Sequence, residues 1–145
     1  MKMTKKQYKK YAEKKADKSP ILKDMINAFL IGGFICIIGQ FLTELFLNLG
    51  LDKEMAGTAT SITLVFISAT LTGLNVYDKI AKVAGAGTLV PITGFANAVV
   101  SPAIEFKNEG FIMGVAANMF KIAGPVITYG IIASVICGIG YWIAL

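Results

Sequence analysis

The chain has 145 residues, 55% of them hydrophobic and only 16% charged, with a mean hydropathy of +0.66. Nine of its fourteen Lys fall within residues 1–23, a stretch of net charge +7, so the rest of the chain is net −2 against a total of +5. A soluble domain needs a polar shell with about 25% charged residues, so this composition excludes a soluble globule and leaves an all-α, polytopic membrane protein with a basic tail.

Residues 1–22 form the tail, polar, lysine-rich and ending at Ser19-Pro20. It is expected to be a flexible cytoplasmic segment or a helix lying on the membrane surface, where each Lys near an anionic leaflet contributes about 1 kcal/mol. It has no Arg and adjoins a membrane span, which argues against a nucleic-acid arm. The apolar run after Lys23 is longer than a signal-peptide core and no small-x-small site follows it, so no cleaved leader is expected. Residues 23–145 then form one transmembrane helical domain.

Residues 24–49 make the first span. At 1.5 Å per residue they exceed a ~30 Å hydrocarbon core, so some tilt or protrusion is expected. Residues 50–55 are an acidic turn, 56–77 a second span and 78–82 a short basic connector. Residues 83–104 are apolar but interrupted by Gly85, Gly87, Pro91, Gly94 and Pro102, each of which weakens a continuous helix. This third segment either spans with a break or dips in and returns. After a polar loop at 105–110, residues 111–144 carry one charge, Lys121, and are too long for one upright span. A break near Gly124-Pro125 would leave 125–144 as the last span, with Tyr141 and Trp142 in an interfacial belt. About four membrane-embedded segments result. The Lys distribution puts the N-terminus in the cytoplasm. The C-terminus joins it there if 83–104 spans, and lies outside if that segment is re-entrant.

Several groups are missing. There is no His and no Arg, and no pair of intramembrane Asp, so neither hydrolytic catalysis nor a metal-ligand set is visible and no cofactor is implied. Gly85-x-Gly87 lacks the third glycine and the Lys-Ser/Thr of a nucleotide loop. Cys36 and Cys137 sit in apolar runs and read as small packing residues.

Polar side chains at membrane depth remain as candidates. On the first span Gly32, Cys36, Gly39 and Thr43 share a face suited to close helix packing, with Gln40 and Glu44 on an adjoining line. Glu44 lies either at an interface or facing a pathway, because a carboxylate inside lipid is costly. Ser61, Ser68, Thr72 and Asn75 form a stripe on the second span. Thr88, Thr93, Asn97 and Ser101 lie in the broken segment, where unpaired backbone is tolerated only beside protein or water. Asn118 and Lys121 follow on the last helix, Lys121 either snorkelling to an interface or facing an aqueous vestibule. The pathway-lining candidates are therefore Gln40, Glu44, Asn75, Thr88, Thr93, Asn97, Asn118 and Lys121. Gly85, Gly87, Pro91, Gly94, Gly124 and Pro125 are candidate hinges.

Three stretches carry a family resemblance: AFLIGGFICIIGQ from Ala28 to Gln40, the run from Leu71 to Gly110, and Met113 to Ile127. The middle run contains LTGLNVYDKIAKVAGAGTLVPITGFANA and EFKNEG, and AGAG-x-x-VPITGF is its most specific string. Together they resemble the stage V sporulation AC/AE membrane family over about residues 24–145. The lysine-rich tail and ANMFKIAGPVI favour the AC branch over the AE branch. The resemblance implies a protein of the spore inner membrane in spore-forming Gram-positive bacteria. It implies a tension-responsive channel component that moves dipicolinic acid, chelated with calcium, into the developing spore and out again during germination. It also implies work alongside the AE protein and the soluble, thiolase-like AD protein, in a homo- or hetero-oligomer. It assigns no role to any residue. The rival expectation is an assembly subunit of the same complex that lines no pathway.

Overall fold

The structure, a computed structural model, describes residues 4, 5, 8, 9, 11 and 20–144. Lys5, Tyr8, Lys9 and Tyr11 are helical, but most of the basic tail lies outside the described residues, and with it the choice between a flexible segment and a surface helix. Among the described residues every regular element is helical.

Helix α1 (Ile21–Asn48) starts directly after Pro20. It ends where Gly50 takes a φ of +90°, with the Gly50 amide bonded to the Leu47 carbonyl (3.0 Å) and the Leu51 amide to that of Phe46 (3.2 Å). That pair of bonds closes the orphan carbonyls of the last turn, and glycine is suited to the left-handed position it needs. Helix α2 (Lys53–Gly73) opens on Asp52, whose carboxylate accepts from the Met55 amide at 2.8 Å. The expected acidic turn over 50–55 thus shrinks to 50–52. Asn75, at φ +57°, ends α2 in the same manner as Gly50 ends α1, with Asn75 bonded to Thr72 and Val76 to Leu71. The second span therefore stops short of residue 77.

The expected connector at 78–82 is instead a helix, α3 (Tyr77–Ala84), with Tyr77 and Ala84 buried and Asp78, Lys79 and Lys82 turned outward. Asp78 and Lys82 pair at 2.8 Å one turn apart. Gly85, at φ +52° and ψ −121°, separates α3 from the single turn α4 (Ala86–Leu89), and Pro91 separates α4 from α5 (Ile92–Glu105). The break expected from Gly85 and Pro91 is therefore present; we call residues 85–91 the elbow. Pro102 is accommodated inside α5.

After a 3-10 turn (Lys107–Glu109), a π-helical stretch (Phe111–Ala116) winds directly into α6 (Ala117–Ala144). The break expected at Gly124-Pro125 is absent, since α6 runs through Pro125. Proline removes one N–H, and an apolar membrane helix tolerates that loss where neighbouring turns adjust. Among the described residues three stretches are long and apolar enough to cross a membrane: Ile21–Asn48, Lys53–Gly73 and Phe111–Ala144. The four expected segments thus become three long helices and one broken one, whose longest piece, α5, rises only about 21 Å.

Cross-contacts fix the directions of the helices. Thr43 meets Thr60, and Gly39 faces Leu64, so α1 and α2 are antiparallel. Ser68 meets Thr93 and Thr72 meets Asn97, so α2 and α5 run parallel. Gly114 lies against Phe106, and Ile122 shares a cavity with Gly94 and Asn97, so α5 and α6 are antiparallel. The start of α1, the ends of α2 and α5 and the start of the 111–144 stretch consequently lie at one end of the bundle. The elbow docks on α1 through glycine: a Cβ on Gly87 would sit 2.9 Å from the Ala28 carbonyl carbon, and one on Gly32 would sit 3.1 Å from the Gly87 oxygen. Small residues permit such backbone approach between membrane helices. The fully packed apolar positions follow the same rule, being Ala56, Ala84, Ala96 and Ala123 beside Tyr77.

Candidate functional site: a polar seam between α2 and α5

Most hydroxyls in the long helices bond their own backbone. Thr58, Ser61, Thr63, Thr70, Thr128 and Ser134 each donate to the carbonyl four residues earlier, which satisfies them without a partner helix. The bonds that cross between elements concentrate in one place. Ser68, fully buried, donates to the Thr93 carbonyl at 2.6 Å. One turn on, Thr72 donates to the Ser68 carbonyl (2.8 Å) and lies 2.9 Å from the Asn97 side-chain oxygen. A hydroxyl has one proton, so with the Asn97 amide turned over its N–H2 supplies the second bond. Tyr77 closes the elbow end, its hydroxyl lying 3.0 Å from the Thr88 carbonyl, to which it donates, and 3.2 Å from the Thr93 hydroxyl.

These contacts form a seam. On α5 it is drawn by Thr93, Asn97, Ser101 and Glu105, which recur every four residues and so lie along one face. The seam opens at the bundle end into a recess of about 260 Å³ lined by Thr72, Asn75, Asp78, Asn97, Ser101 and Glu105. A second cavity of about 440 Å³ adjoins it through Asn97, Ser101 and Glu105 and reaches Ile122 of α6. Chemically the recess offers amide and hydroxyl groups inside and two carboxylates at its mouth. Asp78 is the one already engaged, by Lys82, and that bond together with the negative charge of Asp78 raises the Lys82 pKa above its usual 10.5.

The expected pathway residues divide accordingly. Thr88, Thr93, Asn97 and Asn75 come together at the seam and its recess, with Asn75 doubling as the α2 cap. Gln40 and Glu44 do not join them; they pair with each other (3.1 Å) on the exposed side of α1, near its far end. Asn118 donates to the Gly114 carbonyl of its own helix (2.7 Å), and Lys121 is exposed on α6 outside both cavities. Of the hinge candidates, Gly85 and Pro91 break the chain. Gly87 and Gly94 lie where backbone meets backbone, and Gly124 and Pro125 are helical. Sequence reasoning missed Tyr77, Asp78 and Glu105. The four-residue recurrence ending at Glu105 was the available signal for one of them. Among the described residues no group of three His, Cys, Asp or Glu is placed to hold a metal ion.

Comparison with known proteins places this architecture. Residues 24–140 match the model of the SpoVAC/SpoVAEB sporulation membrane proteins. The chain is also similar to stage V sporulation protein AC of Bacillus subtilis (strain 168), 46% identical over 135 residues that cover 92% of this chain and 90% of that protein. No solved structure matches it.

Proposed function

Since this chain belongs to the SpoVAC/SpoVAEB sporulation membrane protein family, we propose that it is a subunit of a tension-responsive channel. The channel would move dipicolinic acid, with calcium, across the spore inner membrane during sporulation and germination. The observation that supports this reading best is the polar seam from Ser68 to Glu105, lying between a helix long enough to span and a broken segment. Amide, hydroxyl and free backbone groups at such depth are costly unless protein or solute meets them.

In this reading the 83–105 segment is re-entrant. Helix α5 runs parallel to α2 and returns to the end of the bundle at which α3 begins. The elbow is then the tip of a loop that enters and leaves by one face of the membrane. With the lysine-rich tail on the cytoplasmic, spore-core side, the recess opens to that side and the C-terminus lies opposite. One chain has too few helices to enclose an aqueous pore. The exposed faces of α1 and α6 would therefore meet further copies or the AE protein, with the AD protein at the soluble face. Membrane tension favours whichever state has the larger in-plane area, and in this reading the glycine contacts between α1 and the elbow are where that expansion occurs.

Purified protein in liposomes should give tension-dependent conductance and dipicolinate flux, and Asn97→Leu should reduce flux at unchanged protein level. A second reading has its own observation: Ser68 is fully buried and bonded to the Thr93 carbonyl, so protein groups satisfy each other at that level of the seam. A non-conducting assembly subunit would show normal flux in the Asn97→Leu complex and lose the complex when the faces of α1 or α6 are altered.

A further inference from the structure

A groove on the other side of the elbow points to a different ligand. Where α1 passes α3 and α4, a cavity of about 410 Å³ is lined by Asp24, Met25, Ala28, Lys82, Val83 and Ala86, among others. A second, of about 360 Å³, continues from it through Ala28 and Ala86 along Phe29, Gly33, Cys36 and Val90. The first carries one carboxylate and one ammonium; the second has no charged side chain on its wall. The α1 stretch from Asp24 to Cys36 rises about 18 Å, close to the depth of one leaflet of a ~30 Å hydrocarbon core. The groove therefore has charged groups at one end, an apolar channel behind them and the length of a leaflet.

We propose that this groove holds one membrane phospholipid with an amine-bearing zwitterionic headgroup, its acyl chain lying between α1 and the elbow. Charge decides the headgroup. Lys82 has three N–H donors and spends one on Asp78, so it can also donate to a phosphate. Asp24 accepts from the headgroup ammonium. The groove wall itself carries one carboxylate and one ammonium, a pair of opposite charges that matches a zwitterionic headgroup group for group and leaves an anionic lipid without a partner for Asp24. Glycine explains why the groove exists. Gly33 has no atom within 4 Å of where its Cβ would be, so the space beside it is open, whereas Gly32 and Gly87 bring the elbow close enough to form the opposite wall. The proposal is independent of whether the seam conducts.

The test is the full chain reconstituted in nanodiscs of phosphatidylethanolamine and phosphatidylglycerol in equal amounts, extracted in mild detergent, with retained lipid counted by native mass spectrometry. One phosphatidylethanolamine should survive extraction. Gly33→Leu, which fills the groove without meeting backbone, should lower its occupancy by about an order of magnitude. Asp24→Asn should abolish the headgroup preference while a lipid is still retained. Equal retention in native and Gly33→Leu protein, equal retention of the two lipids by the native chain, or an unchanged headgroup preference in Asp24→Asn would each overturn the proposal.

Discussion

The elbow and the outer half of α6 draw on nearly the same residues, glycine and small or β-branched side chains, yet they are built to opposite ends. In the elbow region Gly87 and Gly94 meet backbone: a Cβ on Gly94 would lie 2.7 Å from the Leu89 oxygen and 2.9 Å from its Cα. In α6, Gly130, Gly138 and Gly140 meet nothing within 4 Å, and Ala123 is the last buried residue before the C-terminal end. Glycine in one region is a condition of the fold. In the other it leaves a helix surface free for lipid or for a neighbour. Composition alone does not distinguish the two uses, because the distinction lies in what each missing side chain would strike.

The sharpest way to break this comparison is a matched pair of substitutions. Gly94→Leu should cost about 3 kcal/mol or more, at or above the upper end of overpacking penalties. It should be visible as loss of monodisperse protein in detergent, while Gly138→Leu should elute and melt like the native chain. Hydrogen bonds give a second, smaller contrast. Ser68→Ala removes a fully buried cross-helix bond and should cost about 1–2 kcal/mol. Ser134→Ala removes only a bond to its own helix and should change thermal stability by less than about 0.5 kcal/mol. Flux provides a third. Asn97→Leu should lower dipicolinate flux by up to about tenfold, for an amide worth on the order of 1–1.5 kcal/mol, whereas Asn118→Leu should leave it near native.

The smallest expected effect is the pH response of the Asp78–Lys82 pair. Its bond to Asp78 raises the Lys82 pKa in the folded chain above the unfolded value near 10.5. The stabilisation is therefore complete below that value and is lost only as pH rises through the raised one. Melting temperatures from about pH 6 to 9 should carry no contribution from Lys82 titration, which a native-minus-Asp78→Asn difference that stays constant over that range checks.

Much of the architecture was legible. The long apolar runs announced α1, α2 and α6, and Gly85 and Pro91 announced the broken segment. What escaped was local or relational. Helix α3 was hidden because eight residues containing Asp78, Lys79 and Lys82 read as a charged connector until Tyr77 and Ala84 are seen to bury one face. The break expected at Gly124-Pro125 rested on helix length and proline, but a proline in an apolar helix need not interrupt it, and the irregular winding fell at 111–116 instead. Gln40 and Glu44 were candidates by cost, and the structure places them together on the exposed side of α1, away from the seam, with the Gln40 amide donating to Glu44. The seam itself depends on the parallel register of α2 and α5, which pairs residues 25 positions apart; no local pattern encodes that.

The central claim is that residues 83–105 leave the membrane on the side by which they entered. Single cysteines at Lys79 and Asn108, in a chain with Cys36 and Cys137 changed to Ala, can be labelled with an impermeant maleimide from either face of sealed vesicles, beside a third at Tyr141. The account predicts that positions 79 and 108 react from the same face and position 141 from the other. Labelling of 79 and 108 from opposite faces would contradict it.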